Sequence, residues 1–226
     1  MSVELEIEKE LGIATIGRND DHSDTFRYPY EPTDYEVLDR IVEDGYITKD
    51  DCLVDYGSGK GRVPIYMHYK TGCRTIGIEM MNDFIEIANQ NKETFYKKNL
   101  LHSTESHNGK EISIQERINM QEQTSIHEQI QFVCEKAEKW KVDKEVTCFF
   151  FFNPFSLKIL RGVMKKILDS YYDTPRNIKL LFYYPQDEYV AFLTALPELN
   201  FVDEIDCRDL FTKRDLRNRV IIYELP

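Results

Sequence analysis

Apolar positions along this chain switch between two spacings, and each switch marks a change of element. Leu53-Val54-Asp55-Tyr56 is a short apolar strand that runs into glycines; a helix follows over about Arg62 to Tyr69, then a strand at Thr75 to Glu79. Phe84, Ile87, Ala88 and Phe95 share one helical face, and Ile130 to Val133 reads as a strand. Val146 to Phe152 holds four consecutive phenylalanines, which suits a central strand covered on both sides. Leu160, Val163, Met164, Ile167, Leu168 and Tyr171 trace a helical stripe, Ile178 to Tyr184 the next strand, and Tyr189 to Leu196 the next helix. The end, Phe201 to Cys207 and Val220 to Leu225, reads as two strands with no helix between them. Crossover helices make the sheet mainly parallel, and the two closing strands without one should pair antiparallel.

Ahead of this alternation the pattern is less regular. Val3, Leu5 and Ile7 alternate, but Glu4 to Leu11 could equally form a short helix ending at Gly12. The prolines of Tyr28-Pro29-Tyr30-Glu31-Pro32-Thr33 make that segment extended. Thr33 and Glu36 have capping-box spacing, and Tyr35, Leu38, Ile41 and Val42 follow at helical intervals, so a helix is predicted from Asp34 to about Glu43, ended by Gly45. Residues 101–129 break the rhythm with a polar insertion, either disordered or solvated on the one hand, or a lid or substrate-contacting element on the other. The whole reads as one domain over 1–226, with 1–50 as an N-terminal helical cap segment.

Composition narrows the function classes. The 226 residues carry a net charge of −11, which repels phosphate backbones and so disfavours a nucleic-acid partner without excluding a local basic patch. No run approaches the roughly 18 apolar residues of a membrane helix, and the acidic N-terminus lacks a secretory pattern. Cys52, Cys73, Cys134, Cys148 and Cys207 are scattered and form no CxxC pair, which points to reduced thiols in a soluble cytoplasmic protein. The histidines have no ligand-like spacing, so no metal is expected.

The chemistry concentrates at Asp55-Tyr56-Gly57-Ser58-Gly59-Lys60-Gly61-Arg62. Glycines directly after a parallel strand let the backbone turn sharply against a ligand, with the next helix's N-terminus pointing at it. A dinucleotide fingerprint needs GxGxxG, but Arg62 stands at the third glycine's position, and no P-loop run exists. What remains is Asp-x-Gly-x-Gly-x-Gly, followed by Glu79 at the end of the second strand, 79 − 61 = 18 residues after Gly61. A carboxylate there can accept hydrogen bonds from both hydroxyls of a ribose.

With these residues the sequence resembles the class I S-adenosylmethionine-dependent methyltransferases, from about Thr33 to the C-terminus. The resemblance implies an α/β, three-layer Rossmann-like fold with a mostly parallel seven-stranded sheet and an antiparallel C-terminal strand. It implies S-adenosyl-L-methionine as cofactor, its methionine part held by Tyr56, Gly57, Ser58 and Gly59 with Asp55 organising the loop. Glu79 would grip the ribose and Met80 lie against the adenine. Glu135 and Ala137 would sit in the loop on the adenine side.

Directly after the four-Phe strand, Asn153-Pro154-Phe155 is similar to the Asp/Asn-Pro-Pro-aromatic signature of amino-directed methyltransferases, one proline short. An amide oxygen can accept a hydrogen bond from a substrate –NH₂ and aim its lone pair, and an aromatic ring can stack on a planar substrate or on the sulfonium. The alternative is a turn at Asn153-Pro154 with Phe155 in the core. Tyr30 and Thr33 could touch the cofactor or cap the pocket; aromatic packing and a helix cap are the plainer reading. Lys213, Arg214, Arg217 and Arg219 read as a solvated face, and Trp140 as a packing residue. The expectation is methyl transfer to a nitrogen of an acceptor that the sequence leaves unidentified: protein, small molecule or nucleobase. The rivals are a nicotinamide oxidoreductase, which lacks its third glycine here, and a non-catalytic cofactor-binding module.

Overall fold

Four phenylalanines in a row can all be buried only if the strand that holds them has a core on each face. In the computed structural model, which describes residues 3–18, 30–105 and 129–226, strand β4 (Cys148–Phe152) does this. Phe149 and Phe151 pack into one core and Phe150 into the other, all three fully buried. The first core is closed by helices α1 (Val3–Leu11), α2 (Tyr35–Glu43), α3 (Arg62–Thr71) and α4 (Asn82–Glu105). The second is closed by α5 (Leu157–Asp173), through Leu160, Val163, Met164 and Ile167, and by α6 (Asp187–Thr194).

Between these layers lies a seven-stranded sheet in the order β3-β2-β1-β4-β5-β7-β6. β1 is Cys52–Tyr56, β2 Arg74–Glu79, β3 Ile130–Cys134, β5 Ile178–Tyr183, β6 Asn200–Asp206 and β7 Arg219–Leu225. The pairs β1–β2, β2–β3, β1–β4 and β4–β5 are parallel, whereas β7 runs antiparallel to both of its neighbours, β5 and β6. The expected mostly parallel sheet and the antiparallel pairing of the closing strands are therefore present. The chain winds from β1 out to β3 and then returns to place β4 on β1's other side. This reversal opens a crevice at the carboxyl ends of β1 and β4, where open α/β sheets bind ligands.

Local departures from the sequence reading have local causes. Residues 3–11 form the helix of the two alternatives, closed by Gly12 at φ +72°. Asp34, not Thr33, is the N-cap of α2, and it makes no side-chain cap bond; Thr33 is buried and its carbonyl accepts from Arg62 Nη1 at 2.9 Å. Helix α4 runs on through Glu105 into the segment expected as insertion, and the rest of that expectation, 106–128, lies outside the described residues. Trp140 packs edge-on to Tyr56, with centroids 6.0 Å apart, as expected of a packing residue. Among the described residues, no helix is long and apolar enough to cross a membrane.

Candidate functional site

The glycine turn after β1 is shaped by its neighbours as much as by its own sequence. Gly57 N and Ser58 N both donate to the carbonyl of Ile78 on β2, at 2.8 and 3.2 Å, which bends the chain across the strand end. Gly57 and Gly59 have φ of +82° and +51°, and a Cβ on either would collide, 2.8 Å from Pro154 Cβ and 2.3 Å from the Tyr30 ring. Glycine is thus required twice over, by backbone conformation and by close approach. The same contacts bring Pro154 and Tyr30 against the loop. Tyr30's hydroxyl donates to the Thr15 carbonyl at 2.6 Å, and the Lys60 ammonium sits 4.8 Å from the centre of its ring.

Glu79 is pinned by backbone amides. Its Oε1 accepts from Met80 N at 2.7 Å and Met81 N at 2.9 Å, and its Oε2 from Gly59 N at 3.1 Å, so one carboxylate ties the end of β2 to the glycine turn. Asp55, 4% exposed, has its carboxyl pushed up to about 8, first by burial and then by the nearby charge of Glu79. Asp34 is also raised, by burial and then by Glu4.

These groups surround one cavity of about 490 Å³, within the range of small-molecule sites. It gathers Tyr30, Thr33, Asp55, Gly57, Ser58, Glu79, Met80, Glu135, Ala137, Asn153, Pro154 and Phe155. Two expected residues fall outside its lining. Tyr56, next to Asp55 on the strand, faces the opposite side of the sheet and stacks with Phe149 and Phe151 in the second core. Gly59 lies beneath Tyr30 and takes part through its bond to Glu79. Phe155 lines the cavity but is 5% exposed and packs edge-on to Tyr56 and Phe151, so core packing is its main contact. Tyr28, Pro29, His107 and His127 lie outside the described residues.

Beyond Asn153, the far wall was not anticipated. Asn153 and Tyr184 end the adjacent strands β4 and β5, and both have left-handed backbones, at φ +40° and +52°. Such strain persists only where the surroundings enforce it, and it clusters at functional sites. Asn153 Oδ1 is buried with no hydrogen-bond partner. Beside it stand Phe152, Tyr183, Tyr184, Phe211 and Asn218. The pair Tyr183-Tyr184 before Pro185 was a usable signal, aromatic residues at a strand's carboxyl end; nothing local marks Asn218. The basic cluster expected as a solvated face is partly tied down: Arg217 pairs with Asp215 at 2.8 Å and lies 4.4 Å over the Tyr184 ring, and Arg219 pairs with Glu204 at 2.9 Å.

Charge completes the picture. Six acidic side chains line the cavity (Glu31, Asp34, Asp55, Glu79, Glu135 and Glu138) against three cations, Arg18, Arg62 and Lys136; the raised pKa of Asp55 keeps it largely protonated near neutral pH, and Arg18 pairs with Glu31 at 3.6 Å. Arg62 is neutralised within the fold by Glu4 at 2.6 Å and Glu8 at 3.2 Å. The wall suits a cationic guest and opposes a polyanion.

The family model described as histone methylation protein DOT1 matches residues 23–149, more than half of the chain. No curated protein sequence matches it. Among solved structures, an RNA methyltransferase from Salinibacter ruber, in complex with S-adenosyl-L-homocysteine, is similar at 17% identity over 87% of this chain and 94% of that one, with a TM-score of 0.52. Magnesium protoporphyrin IX methyltransferase from Synechocystis, with bound S-adenosylmethionine, is similar at 11% identity over 85% of this chain and 77% of that one, with a TM-score of 0.50. At these identities the likeness is one of fold, the Rossmann-like methyltransferase architecture expected from the sequence.

Proposed function

This chain belongs to the DOT1 family of histone methylation proteins, and on that premise we propose that it binds S-adenosyl-L-methionine and transfers its methyl group to an amine nitrogen of a protein side chain. Asn153 carries the reading: a side-chain amide on a left-handed backbone that lines the same cavity as the glycine turn and Glu79, its Oδ1 covered by the fold and unpartnered until the side chain turns toward a guest. The names of the two structural relatives illustrate that one fold serves unlike acceptors, so the acceptor must be argued from this chain's own walls.

The residues fit the cofactor. The glycine turn offers a surface that no Cβ obstructs, Glu79 stands at the strand end where a ribose would lie, and the acid-rich wall favours a sulfonium. When bound, the cofactor supplies an electrophilic methyl that needs no further activation. The chain's task is then to position the nucleophile. Asn153 Oδ1 accepts a hydrogen bond from the acceptor N–H and so turns the nitrogen lone pair toward the methyl carbon. The carboxylate-rich wall draws in a cationic amine, and the amine sheds its proton to solvent before it attacks. Phe152, Tyr184 and Phe211 shield the apolar stem of such a side chain from water. A nucleobase acceptor would have to bring its phosphates past the same carboxylates, which is why a protein amine is preferred.

The test has two parts. S-adenosylhomocysteine should raise the melting temperature of the wild type, NAD should not, and Glu79→Ala should shrink the shift. Labelled S-adenosylmethionine should then label core histones with the wild type, and Asn153→Ala should reduce that rate at least about 100-fold while leaving the thermal shift in place. A shift with NAD alone, or equal rates with and without Asn153, would overturn the reading.

A further inference from the structure

We propose that Asn218 is a specificity-determining residue that hydrogen-bonds a peptide group flanking the methylated side chain, in a second cavity continuous with the first. The proposal rests on the protein-amine reading above. The second cavity, of about 430 Å³, lies between the end of β5 and the connection from β6 to β7. Tyr184, Phe211 and Asn218 line both cavities and form the passage between them.

Asn218 is the one of these that the fold leaves incomplete. It is 8% exposed, and its backbone is fully used: its N–H donates to the Asp215 carbonyl at 3.1 Å and its carbonyl accepts from Cys207 N at 3.0 Å. Its carboxamide makes no hydrogen bond to any described residue. Unlike Asn153 Oδ1, this amide is not sealed in the fold: it opens onto the cavities, where water or a ligand completes it. The polar side chains of Tyr184 and Asp215 at the passage are already satisfied. Tyr184's hydroxyl donates to Asp215 Oδ2 at 2.6 Å and accepts from Arg217 Nη2 at 2.7 Å, and Asp215 also accepts from the Arg217 guanidinium. This knot ties the Tyr184 ring to Asp215 and Arg217, so the Asn218 amide faces a braced passage.

A carboxamide offers one acceptor and two donors, which matches the N–H and C=O of a peptide group. A side chain reaching from the passage to Asn153 would leave its own backbone at Asn218. A nucleobase edge has similar hydrogen bonds, but it comes with phosphates, and although Lys213 lines the second cavity, the acidic side chains of the first stand against them. The complementarity therefore favours a polypeptide.

The experiment measures methyl transfer from labelled S-adenosylmethionine to core histones, with a structured RNA transcript as the parallel acceptor and calorimetric S-adenosylhomocysteine binding as the control. Asn218→Ala should raise KM for core histones about tenfold, with kcat changed far less and S-adenosylhomocysteine affinity within about twofold. Phe211→Ala, at the same passage, should give the same split and stands in if the Asn218 variant does not fold. An unchanged KM overturns the proposal and leaves the protein-amine reading intact. A parallel fall in kcat, histone affinity and cofactor affinity also overturns it, by making Asn218 a structural residue. Wild-type transfer to the RNA alone, or to neither acceptor while S-adenosylhomocysteine still binds, overturns both readings together.

Discussion

Asp55→Asn isolates the most unusual charge in the molecule. The carboxyl of Asp55 is buried at the floor of the cavity, and burial, then the charge of Glu79, pushes its pKa up to about 8. In the unfolded chain an aspartate titrates near 4. Between those two values the folded protein holds a proton that the unfolded chain has released, so folding stability falls as pH rises, by about 1.4 kcal/mol per pH unit. Below about pH 4 both states are protonated and the stabilisation is complete; by pH 8 it is lost. Asparagine has nearly the same shape and no proton to lose. The stability difference, Asp55→Asn minus wild type, should therefore grow by roughly 2–3 kcal/mol between pH 5.5 and 7.5, while the titration of groups that do not interact with Asp55 cancels.

Urea denaturation of both proteins at four or five pH values across that range measures the difference directly. Adding S-adenosylmethionine at saturation should flatten the wild-type trend, since a sulfonium in the acid-lined cavity favours the ionised carboxylate. A difference that stays constant from pH 5.5 to 7.5 without cofactor would mean that Asp55 is already ionised in the folded protein. It would refute the reading that burial and the charge of Glu79 keep the Asp55 carboxyl protonated in the folded protein.

Two further predictions test how the site is held. Arg62 is 2% exposed and gathers Glu4, Glu8, Thr15 and the Thr33 carbonyl around its guanidinium, with its face 4.2 Å from the Tyr35 ring centre. Arg62→Met strands the buried Glu8 carboxylate and should cost about 3–5 kcal/mol in urea denaturation, part of it recovered by adding Glu8→Gln; no cost would remove this ion pair as the tie between the N-terminal segment and the glycine turn. At Gly77 in β2, a Cβ would lie 2.6 Å from both Ser58 Oγ and Phe132 Cδ1. Gly77→Ala should cost about 1–3 kcal/mol and weaken S-adenosylhomocysteine binding through the displaced Ser58, and Phe132→Leu in the double variant should restore part of the stability.

Much of the cofactor side was legible because its constraints are local. Glycines that need positive φ and the strand that runs into them are adjacent in sequence, an acidic residue ends the very next strand, and each narrows the geometry by itself. Tyr56 shows the limit of matching a motif without counting strand alternation: Asp55 faces the cavity, so its neighbour must face the opposite core. Thr33 misled for a different reason. Its spacing to Glu36 suits a capping box, but Arg62, nearly thirty positions on, takes its carbonyl instead. Long-range partners of this kind outweigh a local signal worth about 1 kcal/mol.

Apart from Asn153-Pro154-Phe155, the acceptor side was hidden because it depends on strand direction. β7 pairs antiparallel with β5, so Val220 lies opposite Tyr183 and the Tyr184 N–H donates to the Arg219 carbonyl at 3.0 Å. The amino end of β7 thereby sits beside the carboxyl ends of β4 and β5, and it brings Phe211 and Asn218 to the edge of the sheet that holds the glycine turn. A parallel strand in the same slot would have entered from the other edge and carried that connection away from the cavity. The reversal that looked like a mere closing hairpin in the sequence is thus what gives the crevice its second wall, and residues with no local signature become acceptor-facing through it.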